Sequence, residues 1–245
     1  MQGVAISSGR GGASGVRSGF SKSNYSRLHV HLNSELIFER FAKQYFWSGV
    51  RVLELGPDGN PSTYRRCLAD LHLAWETADL AESSTVLGVR MFGSGQSSDL
   101  SYAMDDPYSI PAADNQFDIV FSGQVIEHVP YIWKWMPELA RVCKPGGFVI
   151  TIGPVSWPYH EAPIDCWRVY PEGLKALCED AGLQVVQSVS ASFEPRVSRR
   201  AYPGASFGPA PGMKSVIKRV AGAIGWPLPI AIDTIAIARK PLNAT

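Results

Sequence analysis

Apolar residues along this chain fall into two alternating patterns. Largely apolar runs occur at Val52–Leu55 (interrupted by Glu54), Phe117–Phe121, Phe148–Ile152 and Ile230–Arg239, and they predict strands covered on both faces. Between them, apolar residues recur every three or four positions, which predicts helices. From Tyr25 to Trp47 this spacing (Leu32, Leu36, Phe38, Phe41, Ala42, Phe46) predicts one or two helices leading into a strand at 50–55. A helix over 61–71 follows, with Asn60 as its N-cap and Pro61 at its first position. Ala74–Asp79 predicts a second strand, 82–98 a polar, glycine-rich loop, and Leu100–Met104 a weak strand. The helix at 131–143 would bury Ile132, Trp135, Met136, Leu139 and Val142 and stop at Lys144-Pro-Gly-Gly147. An aromatic, proline-rich loop at 154–170 precedes a helix at 171–181, ended by Gly182. A strand at 183–189, a basic loop at 194–212 and a basic amphipathic helix at 213–224 lead to the last strand.

Strands alternating with helices predict an α/β fold, a doubly wound, Rossmann-like seven-stranded sheet. The long connection before the last strand predicts that the final two strands pair antiparallel at one sheet edge. Residues 1–23 are Gly/Ser-rich and predict a disordered tail, and 24–245 predict a single domain. A hydrophobic content of 45% with 18% charge suits a folded soluble protein. The net charge of +1 supplies no field for nucleic acid. Cys67, Cys143, Cys166 and Cys178 lack metal-ligand spacing and predict reduced thiols, hence a cytoplasmic protein with no bound metal. The N-terminus lacks the apolar core of a signal peptide, and no run reaches the ~18 apolar residues of a membrane span.

In such a sheet, ligands bind at the carboxyl ends of the strands. The chemistry-bearing residues there are Glu54-Leu-Gly56, Asp79, Asp105-Asp106, Ser122-Gly123 and the loop after Ile152. Gly56 and Gly59 make a turn that lets a ligand approach bare backbone at a helix start. An acid closing the second strand suits the two hydroxyls of a ribose. A dinucleotide fingerprint would need Gly-x-Gly-x-x-Gly after the first strand, and Gly56-Pro-Asp-Gly59 does not supply it.

In order, these residues resemble the class I S-adenosylmethionine-dependent methyltransferases of the broad bacterial type called type 11. The resemblance rests on Val52–Gly56, Asp79, Asp106–Pro111, Asn115–Ser122, Val125-Ile-Glu-His-Val-Pro130 and Glu138–Gly147, and covers about residues 48–192. It implies that Glu54 and Gly56 line the methionine part of the cofactor and that Asp79 holds the ribose. Asp106, or Asp105 in its place, would reach the adenine amino group, with Pro107 flanking the ring. Ser122 would bound the pocket through its backbone, and S-adenosylhomocysteine would be the product. The family's acid-x-Gly-x-Gly-x-Gly loop is altered here: Asp58 and Asn60 flank Gly59. Asp58 either accepts from the cofactor's ammonium or marks a loop of different shape.

The acceptor side rests on His128 and on Trp157-Pro-Tyr-His-Glu-Ala-Pro-Ile-Asp-Cys-Trp-Arg168. A neutral imidazole, His128 or His160, would take a hydroxyl proton, with Asp165 orienting it. Trp157, Tyr159, Trp167 and Arg168 suit a sugar, through ring stacking and polar contacts. The alternative is an internally satisfied loop with an Asp165–Arg168 ion pair. A similar stretch occurs in relatives from polysaccharide-synthesis clusters, so the expected reaction is O-methylation of a small molecule or glycan. N- or C-methylation, or a non-catalytic cofactor-binding relative, are the alternatives. The Ser122-Gly-Gln-Val stretch lacks the Pro-Pro-aromatic element of nucleic-acid amino methylases. Segments 154–170 and 194–228 would act as substrate or lid elements. Residues 213–226 offer a peripheral membrane contact, with a lid or an edge helix as the other readings.

Overall fold

The structure is a computed structural model that describes residues 32–81, 84–90, 100–159, 164–193 and 231–242. Seven strands form one sheet: β1 (Arg51–Leu55), β2 (Ala74–Leu80), β3 (Tyr102–Met104), β4 (Phe117–Gly123), β5 (Cys143–Ser156), β6 (Gln184–Ala191) and β7 (Ile232–Arg239). Their order is β3-β2-β1-β4-β5-β7-β6, and only β7 runs antiparallel to its neighbours. The switch of strand order therefore falls between β1 and β4, where Leu53 pairs with Val120 and Leu55 with Ser122.

Alternation along each strand sends neighbouring residues to opposite faces. Leu53, Leu55 and Val120 pack in one cluster with Trp135, Met136 and Leu139 of α3 (Ile132–Val142) and Leu174 and Cys178 of α4 (Pro171–Asp180). Val52, Ile119 and Phe121 pack on the other face with Ile37 of α1 (Leu32–Ile37), Phe38 and Phe46 just beyond it, and Tyr64 of α2 (Thr63–Arg66). The Tyr64 ring lies 4.7 Å from Phe121 and 5.1 Å from Phe38, centroid to centroid. Two covered faces explain why the strands read as largely apolar runs.

Three expectations need correction. The helix expected at 61–71 is one turn, α2, followed by bonds such as Leu68 N–H to the Arg65 carbonyl (3.1 Å). Its N-cap is Ser62, whose Oγ accepts from the Arg65 N–H at 3.1 Å, so Asn60 and a cis Pro61 precede the helix. Within the expected loop 82–98, Thr85–Val86 and Val89–Arg90 form a small hairpin through Leu87 and Gly88, both at positive φ. Lys144-Pro-Gly-Gly147 does not form a turn after α3. The chain enters β5 directly at Cys143, and the bare Gly147 lets β5 lie against the Asp118 carbonyl, 2.6 Å from where a Cβ would sit.

The tail 1–23, the segment 194–228 including the expected helix, and His160 lie outside the described residues. Among the described residues, no helix is long and apolar enough to cross a membrane.

Candidate active site

The cofactor-side residues gather at the carboxyl ends of β1 to β4. Glu54 is buried on β1, and its Oε2 accepts from Ser62 Oγ (2.7 Å) and from the Trp75 indole N–H on β2 (2.9 Å). Burial pushes its carboxyl up to about 7. Ser62 therefore joins the helix start to the acid at the end of β1. Gly56, at φ +61°, donates its N–H to the Ala78 carbonyl (2.9 Å), which pins the loop one residue before Asp79. A Cβ on Gly56 would also press on the Val125 side chain, 2.6 Å away.

Asp58 accepts from the Thr63 N–H (2.7 Å) and hydroxyl (2.5 Å) and so braces the start of α2. Asp79 is half-buried at the end of β2 and accepts from the Leu80 N–H. Asp105 and Asp106 are exposed, while Pro107 behind them is buried. Asp106 Oδ1 accepts from the Tyr108 N–H at 2.8 Å. Ser122 is buried with its hydroxyl turned to Thr151 Oγ1 (3.2 Å) on β5.

The bare loop at Gly56 and Gly59, the half-buried acid at the end of β2 and the buried Pro107 fit an adenosine cofactor laid across the switch point.

The acceptor-side loop is stitched to the turn after β4. Cys166 donates its N–H to the Glu127 carbonyl (2.6 Å), and Trp167 Nε1 donates to the Val129 and Pro130 carbonyls (2.9 and 3.2 Å). His128 Nδ1 meets the Ile164 carbonyl at 2.5 Å. Because a carbonyl only accepts, Nδ1 carries the proton and the neutral ring keeps its lone pair on Nε2. Asp165, 1% exposed, takes both oxygens to Arg168 (2.5 and 2.7 Å), and Arg168 also donates to the Trp157 and Pro158 carbonyls. The internal ion pair foreseen as the alternative is thus formed. Trp157 is half-buried and Tyr159 is 71% exposed.

Five polar residues given no role by the sequence reading also lie here: Asn33, Ser34, Gln124, Glu127 and Asp233. Asp233, wholly buried at the start of β7, accepts from Asn33 Nδ2 (2.6 Å) and Gln124 Nε2 (3.1 Å). Gln124, at φ +60°, also donates to Ser34 Oγ, which shares a hydrogen bond with the Tyr64 hydroxyl. A lone acid inside the apolar run Ala231-Ile-Asp-Thr-Ile235 was the available signal. Because β7 is antiparallel, its first residues lie at the same edge as the carboxyl ends of the other strands.

Residues 67–151 match the family model described as a methyltransferase domain. The ubiquinone biosynthesis O-methyltransferase of Aromatoleum aromaticum is 27% identical over 166 residues, covering 60% of this chain and 70% of that protein. Shorter matches reach 42% and 48% identity but span 19% and 16% of those relatives. Among solved structures, a SAM-dependent methyltransferase from Archaeoglobus fulgidus superposes with a TM-score of 0.50 at 16% identity, covering 84% of this chain and 92% of that one. Residues 67–151 are thus similar to a methyltransferase domain, and the sheet around them has the fold of the Archaeoglobus fulgidus enzyme. A Haloferax volcanii methyltransferase, solved in complex with its Trm112 activator, shares the fold of this domain. Its TM-score is 0.53 at 20% identity, covering 87% of this chain and 90% of that one.

Proposed function

We propose that this chain is an S-adenosylmethionine-dependent methyltransferase acting on a hydroxyl of a small neutral acceptor, a sugar or a phenol, with His128 as the base. The observation that carries the reading is the His128 ring: Nδ1–H is spent on the Ile164 carbonyl, so Nε2 holds the lone pair that a hydroxyl proton needs. The cofactor's sulfonium supplies an electrophilic methyl group, and the protein's task is alignment and proton removal. Glu54, Gly56, Gly59, Asp79, Asp106 with Pro107, and the Ser122 backbone are the residues assigned to the cofactor. Neutrality follows from Arg168, whose charge is matched by Asp165 and which therefore offers an incoming phosphate or carboxylate little. Trp157 and Tyr159 remain the rings assigned to a sugar face. The O-methyltransferase named among the relatives supports oxygen as the methylated atom.

The test is release of S-adenosylhomocysteine with methyl α-glucopyranoside, catechol and ethanolamine as probe acceptors. Turnover on a hydroxyl probe, lost in His128→Asn while calorimetry still shows cofactor binding, is expected. Methylation of ethanolamine in preference to both hydroxyl probes overturns the oxygen assignment.

A further inference from the structure

Glu127 follows β4 in the turn Ile126–His128, at the edge where donor and acceptor must meet. Its side chain is 1% exposed, and neither carboxyl oxygen accepts a hydrogen bond from another described residue. A fully buried carboxyl left in this state is costly, and such groups persist where something else is gained. The Glu127 backbone is not loose, since its carbonyl accepts from the Cys166 N–H and fastens the acceptor-side loop above it. Gly153 on β5 leaves room beneath it: a Cβ there would overlap Ile126 and stand 4.0 Å from Glu127 Oε2. His128 Nε2 lies 3.8 Å from Oε1.

We propose that Glu127 is a positioning residue that acts through His128, holding the Nε2 edge of the ring and stabilising the imidazolium formed as the methyl group transfers. The proposal rests on His128 being the base. In the step, the acceptor oxygen bonds the methyl carbon and the carbon–sulfur bond breaks with its electron pair going to sulfur. The hydroxyl proton passes to His128 Nε2. Nδ1 stays protonated on the Ile164 carbonyl, so the ring becomes a cation with Glu127 as the carboxyl beside it. The arrangement uses the turn for two purposes: the Ile164 carbonyl fixes the tautomer, and Glu127 answers the charge.

Burial pushes the Glu127 carboxyl up to about 8, with Asp233 on β7 and Asp165 raising it and Arg168 lowering it. A bare charge on Glu127 is therefore disfavoured unless a cation stands beside it. An imidazolium 3.8 Å away favours release of the carboxyl proton, so the charge appears when the ring needs it.

The experiment is nitrogen-15 NMR of the histidine rings in the full chain saturated with S-adenosylhomocysteine, wild type against Glu127→Gln, which needs no acceptor. The expected result is an Nδ1–H tautomer for His128 in both proteins, and a titration midpoint lower by about one unit in Glu127→Gln. Equal midpoints, or an Nε2–H tautomer in the wild type, overturn the proposal. Where methyl glucoside or catechol is turned over, Glu127→Gln should lower kcat about 10- to 100-fold with cofactor affinity unchanged. Its acid limb should move with the NMR midpoint, a shift that a merely structural role would not produce. If His128→Asn retains full turnover, the base assignment fails. If His128→Asn is inactive but Glu127→Gln retains both rate and midpoint, only the positioning role fails.

Discussion

Asp58 accepts both the backbone N–H and the hydroxyl of Thr63, at 2.7 and 2.5 Å. An acid stands where the family loop usually has glycine, and here it works as a second cap beside Ser62. Asp58→Ala should cost about 1 kcal/mol of stability, the usual worth of a cap. It should also weaken S-adenosylmethionine roughly tenfold by loosening the loop. Asp58→Asn keeps an accepting oxygen and should stay within about threefold of wild type by calorimetry. A tenfold loss in Asp58→Asn would instead show that the cofactor uses the negative charge.

Two buried acids set a pH slope on stability. Glu54 and Glu127 are raised from the ordinary carboxylate range to about 7 and about 8, mainly by burial. The folded protein binds protons that the unfolded chain has lost, so these groups stabilise it most below about pH 4.5. That contribution fades as pH rises through 7 to 8. Each contributes a slope of up to about 1.4 kcal/mol per pH unit. Melting of the ligand-free protein should therefore decline between pH 6 and 8.5, and Glu127→Gln should flatten the decline. A flat wild-type profile would contradict the raised carboxyls of these acids.

Arg141 on α3 clamps the loop that follows Asp106. Its guanidinium reaches the Ile110 and Ala112 carbonyls (both 2.9 Å) and Asp114, while Glu138 Oε1 accepts from the Ile110 N–H at 2.6 Å. Arg141→Ala should release residues 106–114, the stretch assigned to the adenine. Equilibrium dialysis should show cofactor affinity falling about tenfold, or about 1.4 kcal/mol.

Gly123 ends β4 against the Tyr64 ring and hydroxyl, which a Cβ would overlap. Tyr64 has little room to yield, being held by Ser34, Phe38 and Phe121. Gly123→Ala should cost about 1–3 kcal/mol. The readout is a shifted urea midpoint; an unchanged midpoint would mean that the packing relaxes freely.

The sheet was legible because strands covered on both faces leave a plain mark: Val52, Leu53 and Leu55, or Phe117 through Phe121, carry it without tertiary knowledge. Which residues stand at the strand ends was legible for a related reason, since a short loop after each strand fixes what stands there. Helix α2 was over-read because apolar spacing near Leu68 and Leu71 looks the same in a helix and in successive turns. The buried acids and amides were not legible as a group. Asn33 and Asp233 are 200 positions apart, and only the antiparallel course of β7 brings them within 2.6 Å. Trp167 and Arg168 read as binding residues by type, yet the hydrogen bonds they form are to carbonyls and to Asp165 of their own surroundings.

The position of β7 has a consequence during synthesis. It lies between β5 and β6, yet it is the last of the seven strands to leave the ribosome. Until then β5 and β6 each expose an unpaired, partly apolar edge, an invitation to wrong partners. Buried Asp233 arrives with the same strand, so its partners Asn33 and Gln124 wait for it as well. A cell making this protein would hold, for roughly a few seconds at each ribosome, a sheet whose sixth place is still empty.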